Sequence, residues 1–236
     1  MKYVVSALLW FTGLTAFLLL IAGGLIISYM PDPRRYEPLL KFLCRMLLRS
    51  IMVRVKVSGI ENISANSTYL FITNHVNIFD VFVMEGYIPV YVRGVELDEH
   101  FDWIFYGPLI RRLGNVPISQ SDAKEASKSL LKAKTVLERG TSLVIMPEGH
   151  RTLNGNLGEF KKGPFYLAKK SKVSIVPAAL VNAFQVKRKG SWVINPGTIE
   201  LKIGKGIPYP EYKNLKIPEL RDEVKKRVEE LMSQSD

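Results

Sequence analysis

The chain has 236 residues, which suffices for one α/β domain with an appendage and is too short for two ordinary domains with separate cores. Its composition, 47% apolar and 23% charged, excludes an intrinsically disordered protein, and its single cysteine, Cys44, excludes an internal disulfide. The net charge of +11 favours an anionic partner, so nucleic acid, anionic lipid and phosphorylated substrates are all candidates.

The first predicted element is an apolar helix. Residues 3–30 are 28 consecutive uncharged residues, whereas a helix that crosses a bilayer needs about 20. A cleaved signal peptide is the alternative, although its apolar core has only roughly 7 to 15 residues. A continuous helix of this length is about 42 Å long, so we expect it to tilt, or to bend at Gly23 and Gly24.

A second, amphipathic helix is predicted after the turn at Pro31–Pro33, in residues 36–55. Its apolar positions are Leu39, Leu40, Leu43, Met46, Leu47 and Ile51, and the basic residues on another face are Lys41, Arg45 and Arg49. This pattern is typical of a helix in a membrane interface whose basic side chains reach lipid phosphates. Docking of the helix on its own domain is the alternative, because periodicity does not identify what the apolar face touches.

The charge around this helix predicts an orientation. Residues 31–60 carry seven basic and two acidic residues, a net charge of 7 − 2 = +5, whereas residues 1–30 carry only Lys2. The positive-inside tendency therefore places the rest of the chain on the cytoplasmic side of the inner membrane.

Strands and helices alternate in the remaining sequence. Short apolar runs typical of strands buried on both faces of a sheet occupy residues 67–73, 142–147 and 173–181. The helices are predicted from Ser121 or Asp122 to Gly140 and over residues 218–232, and a pair of strands over 192–204 around Asn195-Pro196-Gly197. We predict an α/β fold, a mixed sheet flanked by helices, in residues 55–236, preceded by a two-helix membrane anchor in residues 1–54.

A histidine and an aspartate follow the first of these strands. His75 lies where the apolar run gives way to polar residues, and Asp80 lies five positions later. A carboxylate that holds one imidazole nitrogen leaves the other free to accept a proton. Five residues of regular helix would turn the side chains roughly 140° apart, so the pair meets only if the intervening turn is not helical.

A second polar cluster, residues 146–152, follows the next predicted strand. Glu148, Gly149 and Arg151 offer a carboxylate, a backbone open to close approach and a guanidinium suited to phosphate. Lys161 and Lys162 lie just downstream. Any one of these residues could be a solvated surface charge, but two such clusters at successive strand ends favour a functional role.

Three blocks in this order resemble those of the glycerolipid acyltransferases, the family of 1-acylglycerol-3-phosphate O-acyltransferases. The blocks are Asn74-His75-Val76-Asn77-Ile78-Phe79-Asp80, which resembles NH-x-x-x-x-D, Glu148-Gly149-His150-Arg151-Thr152, which resembles EGTRS, and Val176-Pro177, which resembles the final proline block. The resemblance covers roughly residues 55–210.

The resemblance implies a membrane-bound enzyme that transfers a fatty acyl chain from acyl-CoA or acyl-ACP to the free hydroxyl of a lysophospholipid. The expected acceptor is 1-acylglycerol-3-phosphate and the product phosphatidic acid, with no cofactor and no metal. His75 is the expected base, Asp80 orients it, and Arg151 holds the acceptor's phosphate. The remaining residues expected to bind substrate are Asn74, Glu148, Gly149, Thr152, Lys161 and Pro177.

One block departs from the family pattern. Family members usually have an acidic and a basic residue after a G-x-hydrophobic run, but here Gly114–Ile118 is followed by Ser119 and Gln120. A phosphate-binding cation is missing there, and the candidates to replace it are Arg93, Arg111 and Arg112. The acceptor's headgroup is therefore left open.

Three other functions compete with this one. They are an acyltransferase for another lysolipid, a catalytically silent membrane-tethered lipid-binding protein, and a metal hydrolase that uses His75, Asp80, Glu148 and His150. A nucleic-acid partner is not expected, because the basic residues concentrate beside the apolar segment and no reader motif is present.

Overall fold

The structure, a computed structural model, describes residues 1–119 and 123–233. Within them the sheet strands are β1 (Val53–Ser58), β2 (Tyr69–Thr73), β3 (Val92–Leu97), β4 (Val116–Ile118), β5 (Ser142–Ile145), β6 (Ser174–Val181) and β7 (Gly197–Ile203). They form one sheet in the order β1-β7-β6-β2-β5-β3-β4. All neighbours are parallel except β6 and β7, which are antiparallel, so the predicted mixed sheet is confirmed.

Helices cover both faces of the sheet. They are α1 (Lys2–Ile27), α2 (Pro33–Ser50), α3 (Asp80–Tyr87), α4 (Tyr106–Leu113), α5 (Ala123–Glu138), α6 (Gly163–Ser171), α7 (Ala183–Val186), α8 (Tyr209–Tyr212) and α9 (Ile217–Ser233). Because successive strand residues point to opposite faces, Phe71 packs with α1 to α4, whereas Leu70 and Ile72 pack with α5, α6 and α9.

The three strands predicted from apolar runs lie side by side in the centre of the sheet. β2 pairs in parallel with β5 on one side and with β6 on the other. Every residue of β2 is buried. Since parallel strands end at the same edge, the segments after β2, β5 and β6 meet there.

The predicted strand pair over residues 192–204 is wrong. Residues 191–196 are irregular, and β7 alone forms, beginning at Gly197. Pro196 has no N–H to donate to a ladder. The preceding backbone instead bonds to α1: Trp10 Nε1 donates to Trp192 O at 2.7 Å, and Ser6 Oγ accepts from Ile194 N at 3.2 Å.

The second predicted helix also ends earlier than expected. α2 stops at Ser50, and the segment from Val53 forms β1, which pairs with β7. Its sequence, VRVKVS, alternates β-branched and polar residues, which suits an edge strand. The predicted domain boundary between residues 54 and 55 thus falls inside β1, and the division into an anchor and a domain stays a prediction.

α1 is long and apolar enough to cross a membrane, as predicted, and it packs lengthwise on the rest of the fold. Its contacts run from Ser6, at Ile194, to Gly24, at Leu109, about 27 Å along the helix. A Cβ at Gly24 would lie 2.7 Å from Leu109 Cδ1. The helix continues through the expected bending point, where glycine permits close packing.

α2 packs its inner face on the domain, which is the alternative that the sequence left open. Tyr36, Leu40, Cys44 and Leu47 are buried there, while Leu39, Phe42 and Met46 are exposed on the outer face. The prediction that Lys41 reaches lipid phosphates is wrong. Its ammonium is buried and donates to Ile88 O at 2.6 Å and to Val90 O at 2.8 Å.

The two remaining predicted helices are confirmed as α5 and α9. Gly140, at φ 81°, lies two residues beyond the end of α5. The predicted capping residues Ser121 and Asp122 lie outside the described residues, as does Gln120.

Candidate active site

His75 and Asp80 meet at the carboxyl end of β2. β2 ends at Thr73 and α3 begins at Asp80, so residues 74–79 form the non-helical turn that the pair requires. His75 Nδ1 lies 2.9 Å from Asp80 Oδ2. The same oxygen accepts the backbone N–H groups of Val76, at 2.6 Å, and Asn77, at 2.9 Å. The carboxylate therefore both shapes the turn and holds the imidazole.

The two side chains differ in their access to solvent. Asp80 is fully buried, whereas 23% of the His75 side chain is exposed. An acceptor oxygen at Nδ1 fixes the tautomer with the proton on Nδ1 and leaves Nε2 with its lone pair. Nε2 has no hydrogen-bond partner among the described residues, so it is available to an incoming group.

Glu148 ties together the loops that surround the imidazole. Its Oε1 accepts the backbone N–H of His75 at 2.7 Å, and its Oε2 accepts that of Gly158 at 2.7 Å. Burial raises the pKa of this carboxyl, and the two backbone donors oppose that rise. A Cβ at Gly158 would lie 2.8 Å from Oε2, so the loop approaches this closely only with glycine. Glu148 thus acts as a positioning residue for His75.

Replacing Glu148 with glutamine is expected to loosen this arrangement. An amide offers one oxygen where the carboxylate offers two, so one backbone N–H meets an NH₂ group and loses its acceptor. We expect a loss of about 1–3 kcal/mol in the free energy of unfolding, measured by urea titration, together with a lower kcat. Glu159→Gln, at an exposed residue paired with Lys225, is the control and should change the stability by less than about 0.5 kcal/mol. Equal effects of the two variants would contradict this role.

The segment after Glu148 folds back on the histidine. Gly149 adopts φ 74°, a left-handed conformation that favours glycine. Thr152 donates its backbone N–H to His75 O at 2.9 Å, and its Oγ1 accepts from Gly155 N at 3.1 Å. Arg151, one residue before Thr152, is half-buried and makes no hydrogen bond or ion pair with the described residues. The structure therefore joins Glu148 and Thr152 to the His75 backbone, and Gly149 and Arg151 lie between them in the chain. A contact of these four residues with substrate stays a prediction.

The other predicted substrate-binding residues make backbone contacts. Asn74 bonds both polar groups of Leu180, donating to its oxygen at 3.1 Å and accepting from its nitrogen at 2.8 Å. Pro177 is buried in the middle of β6, in register with Ile72. Lys161 is exposed and donates its backbone N–H to Pro147 O at 2.9 Å. A direct contact of these three residues with substrate stays a prediction.

Asn77 is a structural member of the site that the sequence did not single out. Its Oδ1 accepts from Phe79 N at 2.7 Å, and its Nδ2 donates to Ala183 O at 2.7 Å. It thereby joins the His75 turn to α7. Its position between His75 and Asp80 was the sequence feature that could have identified it.

The three arginines proposed to supply the missing cation are engaged elsewhere. Arg93 is buried and pairs with Glu37 and Glu85, which makes that proposal wrong for this residue. Arg111 donates to Phe101 O, and Arg112 lies 4.0 Å from the ring centroid of Tyr29. Tyr29 lies two residues beyond the carboxyl end of α1.

The metal-hydrolase alternative needs a cluster of ligands. Among residues 1–119 and 123–233, no group of three or more His, Cys, Asp or Glu is placed to hold a metal ion. His75 and Glu148 contact each other through the His75 backbone N–H, not through the imidazole. This alternative therefore has no ligand set in the described part of the chain.

The chain is similar to known acyltransferases. It is 25% identical over 201 residues to a chloroplastic 1-acyl-sn-glycerol-3-phosphate acyltransferase of Arabidopsis thaliana, covering 80% of this chain and 54% of the relative. It is 28% identical over 214 residues to a 1-acyl-sn-glycerol-3-phosphate acyltransferase of Pseudomonas aeruginosa, covering 89% and 82%. The chain thus spans about half the length of the plant relative and most of the bacterial one.

A solved structure shares the fold. The crystal structure of the 1-acyl-sn-glycerophosphate acyltransferase PlsC from Thermotoga maritima matches with a TM-score of 0.82 at 22% identity, covering 100% of this chain and 98% of that one. The family model described as Acyltransferase matches residues 54–181, which is more than half of the chain and contains both polar clusters. The chain therefore belongs to the acyltransferase family.

Proposed function

We propose that the protein is an O-acyltransferase that transfers a fatty acyl chain from a thioester donor, acyl-CoA or acyl-ACP, to the hydroxyl of 1-acylglycerol-3-phosphate, giving phosphatidic acid. The observation that carries this proposal is the 2.9 Å contact between His75 Nδ1 and Asp80 Oδ2, which leaves Nε2 free at a turn whose backbone is bonded to Thr152, the residue after Arg151. The names of the relatives from Arabidopsis thaliana and Pseudomonas aeruginosa support the choice of acceptor.

The geometry supports direct transfer. Nε2 of His75 takes the proton of the acceptor hydroxyl as its oxygen attacks the thioester carbonyl, and the buried carboxylate of Asp80 stabilises the imidazolium that forms. The tetrahedral intermediate then collapses, the C–S bond breaks, and the leaving thiolate takes the proton from the imidazolium. The products are an ester and a free thiol, with no covalent acyl-enzyme.

The outward face of α1 supports a position at a membrane. Exposed apolar side chains run along it from Val4 through Phe11 and Leu18 to Ile26, and Trp10 links the helix to the loop after α7. Both substrates carry acyl chains, so a site held at a bilayer surface meets them where they concentrate. We propose the inner membrane, with the catalytic domain on the cytoplasmic side.

An acyl-transfer assay against a panel of lysolipids tests the function. The full chain in detergent, given palmitoyl-CoA or palmitoyl-ACP, should release thiol with lysophosphatidate and form labelled phosphatidic acid. Lysophosphatidylcholine, lysophosphatidylethanolamine and monoacylglycerol serve as competing acceptors. Transfer only to one of these would replace the proposed acceptor, and absence of thiol release with every pair would favour the silent lipid-binding protein.

A further inference from the structure

The loop after α7, a helix that contacts the catalytic turn, carries a buried cation, Lys187. α7 is fixed to the catalytic turn because Asn77 Nδ2 donates to Ala183 O, and it touches the loop of residues 149–158, where a Cβ at Gly155 would lie 3.1 Å from Phe184 Cδ1. Lys187 follows α7 directly. Lys187 therefore lies one residue beyond a helix that contacts both the His75 turn and the loop of residues 149–158.

The ammonium of Lys187 is held in place below the protein surface. Lys187 is only 6% exposed, and its Nζ donates to Arg188 O at 3.0 Å and to Ser191 O. Nζ also lies 5.8 Å from the ring centroid of Trp10 on α1. An ammonium has three donors, and the third has no partner among the described residues. That third donor is available to a ligand oxygen.

Lys187 and Arg151 carry like charges that interact with each other. Burial lowers the pKa of Lys187, and the nearby positive charge of Arg151 lowers it further. Neither residue is paired with a carboxylate within the described parts of the chain. The sequence explains why: residues 160–199 contain eight lysines and arginines and no acidic residue. Two interacting cations without a counter-ion attract a doubly charged anion.

We propose that Lys187 and Arg151 together bind the phosphomonoester of the acceptor, with Lys187 as the second cation of the headgroup site. This inference rests on the proposed function and names the group that selects its substrate. A phosphomonoester carries about −1.5 to −2 charges at pH 7, which matches two cations, whereas phosphodiester and uncharged headgroups do not. Arg188, exposed with its guanidinium 5.1 Å from the Phe184 ring centroid, adds positive charge at the entrance.

The variant Lys187→Met tests this proposal, because methionine keeps much of the stem and removes the charge. We expect the KM for lysophosphatidate to rise roughly 10- to 100-fold with little change in kcat. Lys187→Arg should recover most of the loss. Lys189→Met, two residues along the same loop, is the matched control and should leave KM unchanged. An unchanged KM in Lys187→Met, or the same rise in Lys189→Met, would overturn the assignment.

Binding in the His75→Ala background separates headgroup recognition from loop damage. Lys187→Met should weaken binding of hexanoyl lysophosphatidate by the same factor and leave binding of hexanoyl monoacylglycerol unchanged, as measured by calorimetry. An equal loss for both lipids would show that Lys187 only supports the loop. If the phosphate effect appears while no variant or parent chain transfers an acyl group, the proposed function fails and the phosphate site stands.

Discussion

Replacing His75 with alanine is expected to lower kcat for acyl transfer by roughly 10³- to 10⁴-fold while the protein still folds and binds lipid vesicles. The variant removes the group that accepts the hydroxyl proton. It leaves the backbone of residue 75 in place, so the contacts with Glu148 Oε1 and Thr152 N survive. Thiol release from palmitoyl-CoA measures the rate, and co-sedimentation with vesicles measures lipid binding.

His100 provides a matched control for this experiment. Its Nδ1 lies 3.3 Å from Glu96 Oε2, so it is a second imidazole beside a carboxylate, with similar exposure. It lies between β3 and α4, outside the proposed site. His100→Ala should keep kcat within about threefold of the parent chain. A His75→Ala variant that retains more than about a tenth of the parent rate would show that the imidazole is not the base.

Replacing Arg93 with methionine is expected to destabilise the fold by about 3–5 kcal/mol. The guanidinium, 1% exposed, joins α2 to α3 through Glu37 Oε2, at 2.8 Å, and Glu85 Oε1, at 2.9 Å, and its Nε donates to Leu113 O at 2.6 Å. Without it the buried carboxylate of Glu37 and the partly buried one of Glu85 keep Lys41 as their neighbouring cation. Urea titration followed by far-ultraviolet circular dichroism measures the loss.

The stability lost in the Arg93→Met variant should depend on pH. Burial raises the pKa of Glu85 to about 7, above the ordinary value of 4.5, although Arg93 opposes this rise. A raised carboxyl pKa means that stability is fully present below about pH 4.5 and is lost as the pH rises through about 7. Removing Arg93 strengthens that dependence, so the variant should lose more stability at pH 8 than at pH 5.

An exposed charge provides the comparison for Arg93. Lys226 pairs with Glu230 on the surface of α9, where both side chains are more than half exposed. Lys226→Met removes the same charge and should change the free energy of unfolding by less than about 0.5 kcal/mol at either pH. A loss in Arg93→Met that is equally small, or that grows towards low pH, would contradict this account of the buried ion pairs.

The central strands could be predicted because burial on both faces gives continuous apolar runs. β2, β5 and β6 were predicted for this reason, and the polar clusters after β2 and β5 then indicated function at two successive strand ends. β3 was not predicted because its sequence, VRGVEL, is not a continuous apolar run. It contains Arg93 and Glu96, whose burial depends on partners distant in the sequence. The same limit applies to Lys41, which looks like a surface residue until its carbonyl acceptors are known.

The candidate site was also predictable only in part. The turn of His75 and Asp80 is local, so its residues could be found within seven positions of sequence. Lys187 lies 36 positions beyond Arg151, and what connects them is the packing of α7 against the loop of residues 149–158. The sequence signal for Lys187 was the long stretch of residues 160–199 without an acidic residue. When the fold is unknown, such a stretch is interpreted as a solvated surface.

The docking of α1 also has a consequence for biosynthesis. Trp10 and Ser6 bind carbonyls that lie 182 and 188 residues later in the chain. β1 likewise pairs with β7, which the ribosome synthesises much later. At about 5–20 residues per second, a ribosome needs roughly 10 to 40 seconds to deliver those partners. Until then the amino-terminal part of α1 lacks the carbonyls of residues 192 and 194, although α2 and α4 are already made. The apolar surface that is still uncovered needs an insertion factor, a chaperone or lipid until translation reaches the end of the sheet.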